Sequence, residues 1–408
     1  MLQQCHQQGL CCPLRKSGVL MRCPHRLRVA TSGVKTAAGT TSRAPTNGGR
    51  AETMSAYPNF MPPPILDISD HYCHAMAKQM RRVPVNMPGQ SFTPLRTAVV
   101  GPTGPELDAA GVAPDTPVLL LLHSFDSSSL EWRRLYPLLQ QRAGLPVVAV
   151  DLLGWGFTDH AAWQRHPRLP VTPALKCAHL EAFRQQHLGG RPLVLAGTSL
   201  GGTIAADFAI QHPQAVQRLV LISAQGFTEG VPPAPWPLAA LGVALLRTVW
   251  LRNRANQLAY YDKATWATDD AWRVGRLNTF LPGWFEANVA FIQSGGYFMP
   301  EQRIQQIQQP VLLLWGRHDE IIEPKLADRW ASALGPQRCR LCWVERAGHS
   351  PQIEQAVMVA EHIIEFLACR HEGQEAGAVR HEDGAPASIP MSKAALPIES
   401  MKEVAQCS

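Results

Sequence analysis

The chain has 408 residues, of which 46% are hydrophobic, with 38 basic and 32 acidic side chains. That length accommodates one large or two ordinary domains, and the apolar share suffices for a sizeable core. The formal net charge of +6 does not argue for a nucleic-acid partner. Eight of the basic residues and none of the acidic ones fall within residues 1–50, and the rest carries 30 basic against 32 acidic groups.

Residues 1–50 are basic, free of Asp and Glu, and rich in Ser, Thr, Ala and Gly in their second half. They read as an organellar transit peptide with a chloroplast address, or alternatively a mitochondrial one, and lack the continuous apolar run of a secretory signal. Residues 370–408 show little apolar periodicity and read as a disordered tail. The ten cysteines form no disulfide framework, and four of them fall in the first 50 residues. Cys339 and Cys342 form a C-x-x-C, but they sit on a strand pattern that sends residues three apart to opposite faces, so no metal site is expected there.

Between these ends the pattern starts with a helix over 71–82, a strand over 91–100 and a Gly/Pro/Asp loop over 101–117. The run 117–123 is almost wholly apolar, as in a strand buried on both faces of a parallel sheet. Helix spacing follows over 131–142, then a strand at 146–152, a helix at 172–187, a strand at 193–196, a helix at 201–212 and a strand at 219–223. The alternation resumes with strands at 310–315 and 338–344 and helices at 323–334 and 356–369. This order predicts an α/β fold, a mostly parallel sheet with helices on both faces. The core spans 51–224 and 310–369. Residues 225–309 read instead as helices and loops, a cap carrying five of the eleven tryptophans, with about a third of its aromatic residues facing substrate. Its longest apolar run, 238–251, is too short to span a bilayer and contains Arg247. It suits a buried helix or one resting at a membrane surface, so peripheral membrane contact through the cap is a second expectation.

The chemistry centres on Gly197-Thr198-Ser199-Leu200-Gly201-Gly202, where a strand turns sharply into a helix. A serine at such a turn projects its hydroxyl above the sheet, and the glycines two residues either side avoid a collision as the helix folds back. A serine nucleophile needs a base, and the base needs an orienting acid, in the chain order Ser, Asp or Glu, His. Asp319 ends one late strand and His349 follows the next. Glu320 is the alternative acid, and His318 precedes the acid and fits the order poorly. The backbone N–H groups of Phe125 and Leu200 are the expected oxyanion donors. Asp151 precedes the nucleophile and reads as structural, and Asp126 as a loop or helix-start residue.

The segments His123-Ser124-Phe125-Asp126, Asp151-x-x-Gly154-x-Gly156, the Ser199 turn, Trp315-Gly316-Arg317-His318-Asp319 and Gly348-His349 together resemble the α/β-hydrolase superfamily. The resemblance covers about residues 90–370. It implies a helical cap, with Ser199 as nucleophile, Asp319 as acid and His349 as base. The family usually has glycine after the first histidine. Serine at position 124 adopts glycine's backbone angles poorly, which puts the Phe125 donor in question. The segments 129–134 and 293–297 are similar to plant and algal plastid hydrolases related to pheophytinase and chlorophyll dephytylase. The expected activity is therefore cleavage of a carboxylic ester, with a long-chain or phytyl ester as the specific expectation. A serine at the elbow argues against the dehalogenase and epoxide hydrolase chemistries that use aspartate. No metal or organic cofactor is required. The expected partner is a small apolar ester, not a nucleic acid. The competing reading is a non-catalytic ligand-binding or scaffold protein on the same fold.

Overall fold

A computed structural model of the chain describes residues 53–229 and 232–369. The expected transit segment and tail lie outside the described residues. Short 3-10 turns lead into α1 (His71–Gln79), which starts on Asp70 accepting a hydrogen bond from the Tyr72 N–H. There follow β1 (Arg81–Val85), β2 (Leu95–Val100), α2 (Gly104–Ala109), β3 (Val118–Leu122), α3 (Tyr136–Arg142), β4 (Val147–Val150), α4 (Ala161–Arg165), α5 (Pro173–His187), β5 (Leu193–Thr198), α6 (Leu200–Gln211) and β6 (Val216–Ile222). An insert then supplies β7 (Thr228–Glu229), α7 (Trp236–Leu246), α8 (Val249–Ala259), α9 (Lys263–Trp266), α10 (Asp269–Arg276), α11 (Trp284–Gln293), β8 (Phe298–Met299) and α12 (Glu301–Ile304). The chain returns through β9 (Val311–Gly316), α13 (Lys325–Leu334), β10 (Cys339–Val344), α14 (Pro351–Glu354) and α15 (Ala356–Ala368).

Eight strands form one sheet in the order β1-β2-β4-β3-β5-β6-β9-β10, while β7 and β8 make a separate two-stranded ribbon. The pairs β1–β2 and β2–β4 are antiparallel and the remaining neighbours parallel. Because β3 is flanked by β4 on one side and β5 on the other, the strand order reverses beside β3. The loop after β3 and the turn after β5 meet at that switch point, where open α/β sheets place their ligand crevice.

The sheet divides two cores, and strand alternation decides which residue enters which. Val118, Leu120 and Leu122 of β3 pack with Leu180 and Phe183 of α5, Phe208 of α6 and Trp330 of α13. Leu119 and Leu121 enter the opposite core, with Met76 of α1, Leu139 of α3 and Ile363 of α15. All five β3 residues are buried. Full burial of such a side chain is worth about 1.5–3 kcal/mol, so the unbroken apolar run is itself the signature of a two-sided strand.

Several local expectations need correction. The first helix stops at Gln79, and Arg81 and Arg82 pair with Val99 and Ala98 in β1, since tertiary strand pairing overrides the helical spacing. The loop at 101–117 contains α2, whose Thr103 and Glu106 form a capping box, a Thr-x-x-Glu signal present in the sequence. The helix expected over 131–142 is a 3-10 turn at Ser129–Trp132 followed by α3, with Pro137 in its first turn. Cys339 packs against one core and Cys342 against the other, as their strand spacing dictates.

Candidate active site

Ser199 sits between β5 and α6 at φ 52° and ψ −122°, outside the comfortable regions for a residue with a side chain. The turn is held from both sides. The Ser199 N–H donates to Ile222 O of β6, and its carbonyl accepts from the N–H groups of Gly202, Thr203 and Gln225. A Cβ at Gly197 would lie 2.3 Å from Gly201 O, so the helix does fold back onto the strand. A Cβ at Gly201 would lie 2.3 Å from His123 O and 2.6 Å from Leu122 O. Gly201 therefore lets the elbow approach the end of the neighbouring strand β3, a contact that the local sequence does not reveal.

Asp319 and His349 come together from the loops after β9 and β10. The His349 Nδ1–H donates to Asp319 Oδ2 at 2.9 Å. The other oxygen, Oδ1, accepts from the N–H groups of Ile321 at 2.9 Å and Ile322 at 2.8 Å, so the carboxylate is fixed in orientation as well as position. With Nδ1 committed as a donor, Nε2 is the imidazole nitrogen left to accept a proton. Glu320 pairs instead with Lys263 at 2.9 Å, and His318 stacks on Tyr261, so neither takes part in this contact.

Ser199 and His349 line a single cavity of about 320 Å³, together with Ser124 and Phe125. Leu200 is buried at the start of α6 and does not line it. Among the described residues, neither the Phe125 nor the Leu200 N–H has an intramolecular acceptor.

The Ser124 question has a structural answer. The residue of this loop with left-handed backbone is Asp126, at φ 48°, and Ser124 is not in that region. Ser124 is instead held by Glu131, whose Oε2 accepts from its N–H at 2.9 Å and its hydroxyl at 2.7 Å. Glu131 Oε1 accepts from the Gln352 amide at 2.9 Å, which ties the loop after β3 to α14, just beyond His349. Behind the loop, the His123 Nδ1–H donates to Ser124 O and Nε2 accepts from the Leu152 N–H. Burial pushes this imidazole down to about 3, keeping it neutral in that dual role.

Asp126 does far more than start a helix. It is buried, and its carboxylate accepts from Arg252 of α8, from the Trp284 indole at 2.7 Å and from Asn278 at 3.3 Å. Burial raises its carboxyl above the usual range, and Arg252 leads the interactions that oppose the rise. Glu354 makes a second anchor. It accepts from Gly348 N–H at 2.6 Å, beside His349, and from the N–H groups of Tyr261 and Asp262, just after α8. The His349 N–H itself donates to Ala259 O at 2.7 Å. Tyr261 and Asp262 lie 93 and 92 positions from Glu354, and Gln352 lies 221 from Glu131, so these meetings leave no local pattern and sequence reading missed both carboxylates. Asp151 is structural. Its carboxylate accepts from the Ser129 N–H and hydroxyl and the Phe157 N–H, and burial pushes it up to about 6.

The insert's aromatic residues contribute less to the cavity than expected. Among those singled out in its sequence, Tyr260 and Trp272 line it. Phe291 packs on Trp155 and Phe125, Trp284 anchors Asp126, and Trp236 and Trp250 are exposed.

Comparison with known proteins accords with this architecture. The chain is 35% identical over 316 residues to the alpha/beta hydrolase domain-containing protein VTE7 of Arabidopsis thaliana, covering 76% of this chain and 91% of that one. It is 22% identical to the human monoacylglycerol lipase ABHD6, over 62% of this chain and 76% of the relative. An esterase structure from Thermogutta terrifontis superposes with a TM-score of 0.55 at 19% identity, covering 70% of this chain and 98% of the other. Residues 119–362 match the family model described as the alpha/beta hydrolase family. With that match across most of the sheet and the insert, the chain belongs to the α/β-hydrolase family.

Proposed function

We propose that the chain is a serine hydrolase of carboxylic esters, with Ser199 as nucleophile, His349 as base and Asp319 as the orienting acid. The observation that carries this reading is the His349–Asp319 hydrogen bond of 2.9 Å at the wall of the cavity that Ser199 also lines. His349 Nε2 takes the proton of Ser199 Oγ as the oxygen attacks the ester carbonyl. The tetrahedral oxyanion is held by the N–H groups of Phe125 and Leu200. Its collapse expels the alcohol, which receives the proton from His349. Water, deprotonated by the same imidazole, then releases the acid from Ser199.

The substrate in this reading is a long-chain or phytyl ester. Leu246, Leu251, Val274, Ile321 and Ile353 give the cavity an apolar wall. Its volume of about 320 Å³ lies at the small end of the roughly 300–1,000 Å³ range of ligand pockets. It would take the ester and part of an apolar chain, leaving a bulky acyl group at the mouth. A relative named as a monoacylglycerol lipase supports a lipid ester. The acid-free basic segment at 1–50 supports action in the chloroplast.

The test is labelling of the full chain by a fluorophosphonate probe, followed by an ester panel of graded chain length that includes chlorophyll and pheophytin. Wild type is expected to label and Ser199→Ala to lose labelling. Equal labelling of the two would remove the hydrolase mechanism. Preference for short soluble esters would remove the phytyl substrate and leave the mechanism standing.

A further inference from the structure

Helix α7 has two apolar sides, and the fold covers one of them. Ala239 and Val243 face inward and pack with Trp284 and Val289 of α11. Leu238, Leu241 and Leu245, spaced three and four residues apart, share the other side and are all exposed. The apolar surface continues across the turn into α8, where Val249 and Trp250 are also exposed. Leu238 is 63% exposed and Trp250 73%, values typical of charged surface residues and not of large apolar ones. Single exposed leucines need no explanation, but a contiguous stripe of this kind marks an interaction surface.

The charge around the stripe identifies its occupant. Residues 230–261 contain no Asp or Glu and three arginines. Arg252 turns inward to Asp126, whereas Arg247 and Arg254 are exposed and form no ion pair among the described residues. Arg276, partly buried beside Arg247 and Arg252, adds a further cation to the same neighbourhood. An apolar face with tryptophan at its ends and arginine at its flanks has the composition of a helix lying in the headgroup region of a membrane. Among the described residues no helix is long and apolar enough to cross one. We propose that α7 and the start of α8 dock the protein in-plane on a bilayer carrying anionic lipid, with Leu238, Leu241, Leu245 and Trp250 entering the acyl boundary and Arg247 and Arg254 meeting the headgroups. Leu246 and Leu251, which flank the exposed tip of α8, line the cavity. Docking in this orientation sets the cavity mouth near the lipid. The surface does not depend on the ester chemistry, because binding is read without turnover.

The experiment is flotation of the full chain with phosphatidylcholine vesicles, with and without about one-third phosphatidylglycerol. Wild type is expected to float with the anionic vesicles and the combined variant Trp236→Ser, Leu241→Ser, Trp250→Ser to lose at least about tenfold in partitioning. Arg247→Glu with Arg254→Glu, which alters exposed side chains alone, is expected to abolish the gain from phosphatidylglycerol while leaving the thermal unfolding transition in place. Wild type that floats no better than the apolar variant, or no gain from phosphatidylglycerol, overturns the proposal. A concentration-dependent dimer that disappears in the same apolar variant would assign the stripe to a second copy of the chain and overturn it equally.

Discussion

The two walls of the cavity are built on different principles. The wall formed by the sheet ends rests on strands buried on both faces, and its elbow is fixed by backbone contacts to β3 and β6. The wall formed by α7, α8 and α10 joins the sheet ends through two buried carboxylates, beside the apolar packing of Val274, Leu277 and Phe291 on the two cores. Asp126 takes Arg252, Asn278 and Trp284, while Glu354 takes Tyr261 and Asp262, and the Ala259–His349 backbone bond runs between them. A close-packed support transmits small errors directly to the reacting atoms. A support that also depends on discrete polar anchors can be loosened locally by removing one of them. The chemistry is therefore expected to belong to the first wall and the choice and entry of substrate to the second.

The largest test of that division is Asp319→Asn. It keeps the packing and removes the acceptor that orients His349, so kcat is expected to fall by about 10⁴-fold with little change in thermal stability. A loss of a few fold would mean that His349 is held without Asp319 and that the first wall is less specific than its geometry suggests. Next is Asp126→Ala, which leaves Arg252 without its carboxylate and the Trp284 indole without an acceptor. Breaking a buried pair costs about 3–5 kcal/mol. The loss is expected to appear locally, as faster amide exchange in α8 and α11 and a raised KM for long-chain esters. Fluorophosphonate labelling of Ser199 and slow exchange in β3 and β5 should persist. Equal loss of protection in β3 and α8 would erase the distinction between the walls.

The smallest test uses pH. His123, His160 and His179 are buried outside the insert, and burial pushes their imidazoles down to about 3, about 4 and about 3. Unfolded, each titrates near 6.5. Below that value the unfolded state binds more protons, so the stability they confer is present above 6.5 and drains as pH falls toward their folded values. Each contributes a slope of up to about 1.4 kcal/mol per pH unit. Asp151, pushed from 3.8 up to about 6, acts with the opposite sign, its contribution being lost as pH rises through that interval. Because residues 225–309 contain no histidine, acid loosening is expected to begin in the sheet and its flanking helices. Chemical unfolding followed over this pH range should show a shallower acid limb for His179→Gln than for wild type. An unchanged slope would count against the buried neutral imidazole.

What the amino-acid order determined by itself is local or periodic. Unbroken apolar runs such as 118–122 placed the two-sided strands, because a strand buried on both faces has no polar alternate position. The glycines around Ser199 marked a turn that larger residues would obstruct. The placement of Ser199, Asp319 and His349 after β5, β9 and β10 followed from parallel strands whose ends return to the same edge of the sheet. Tertiary structure decided whatever depends on partners distant in the chain. Glu354 meets Tyr261 across 93 positions, and Asp126 meets Trp284 across 158. No period or short motif encodes such a meeting. Ser124 shows the same limit from the other side, since its departure from glycine signalled strain until Glu131 and the left-handed turn at Asp126 accounted for the loop. Helix α7 shows it as well. An apolar helix reads alike whether it is buried or exposed, and only the packing of α11 against one side reveals that the other was left uncovered.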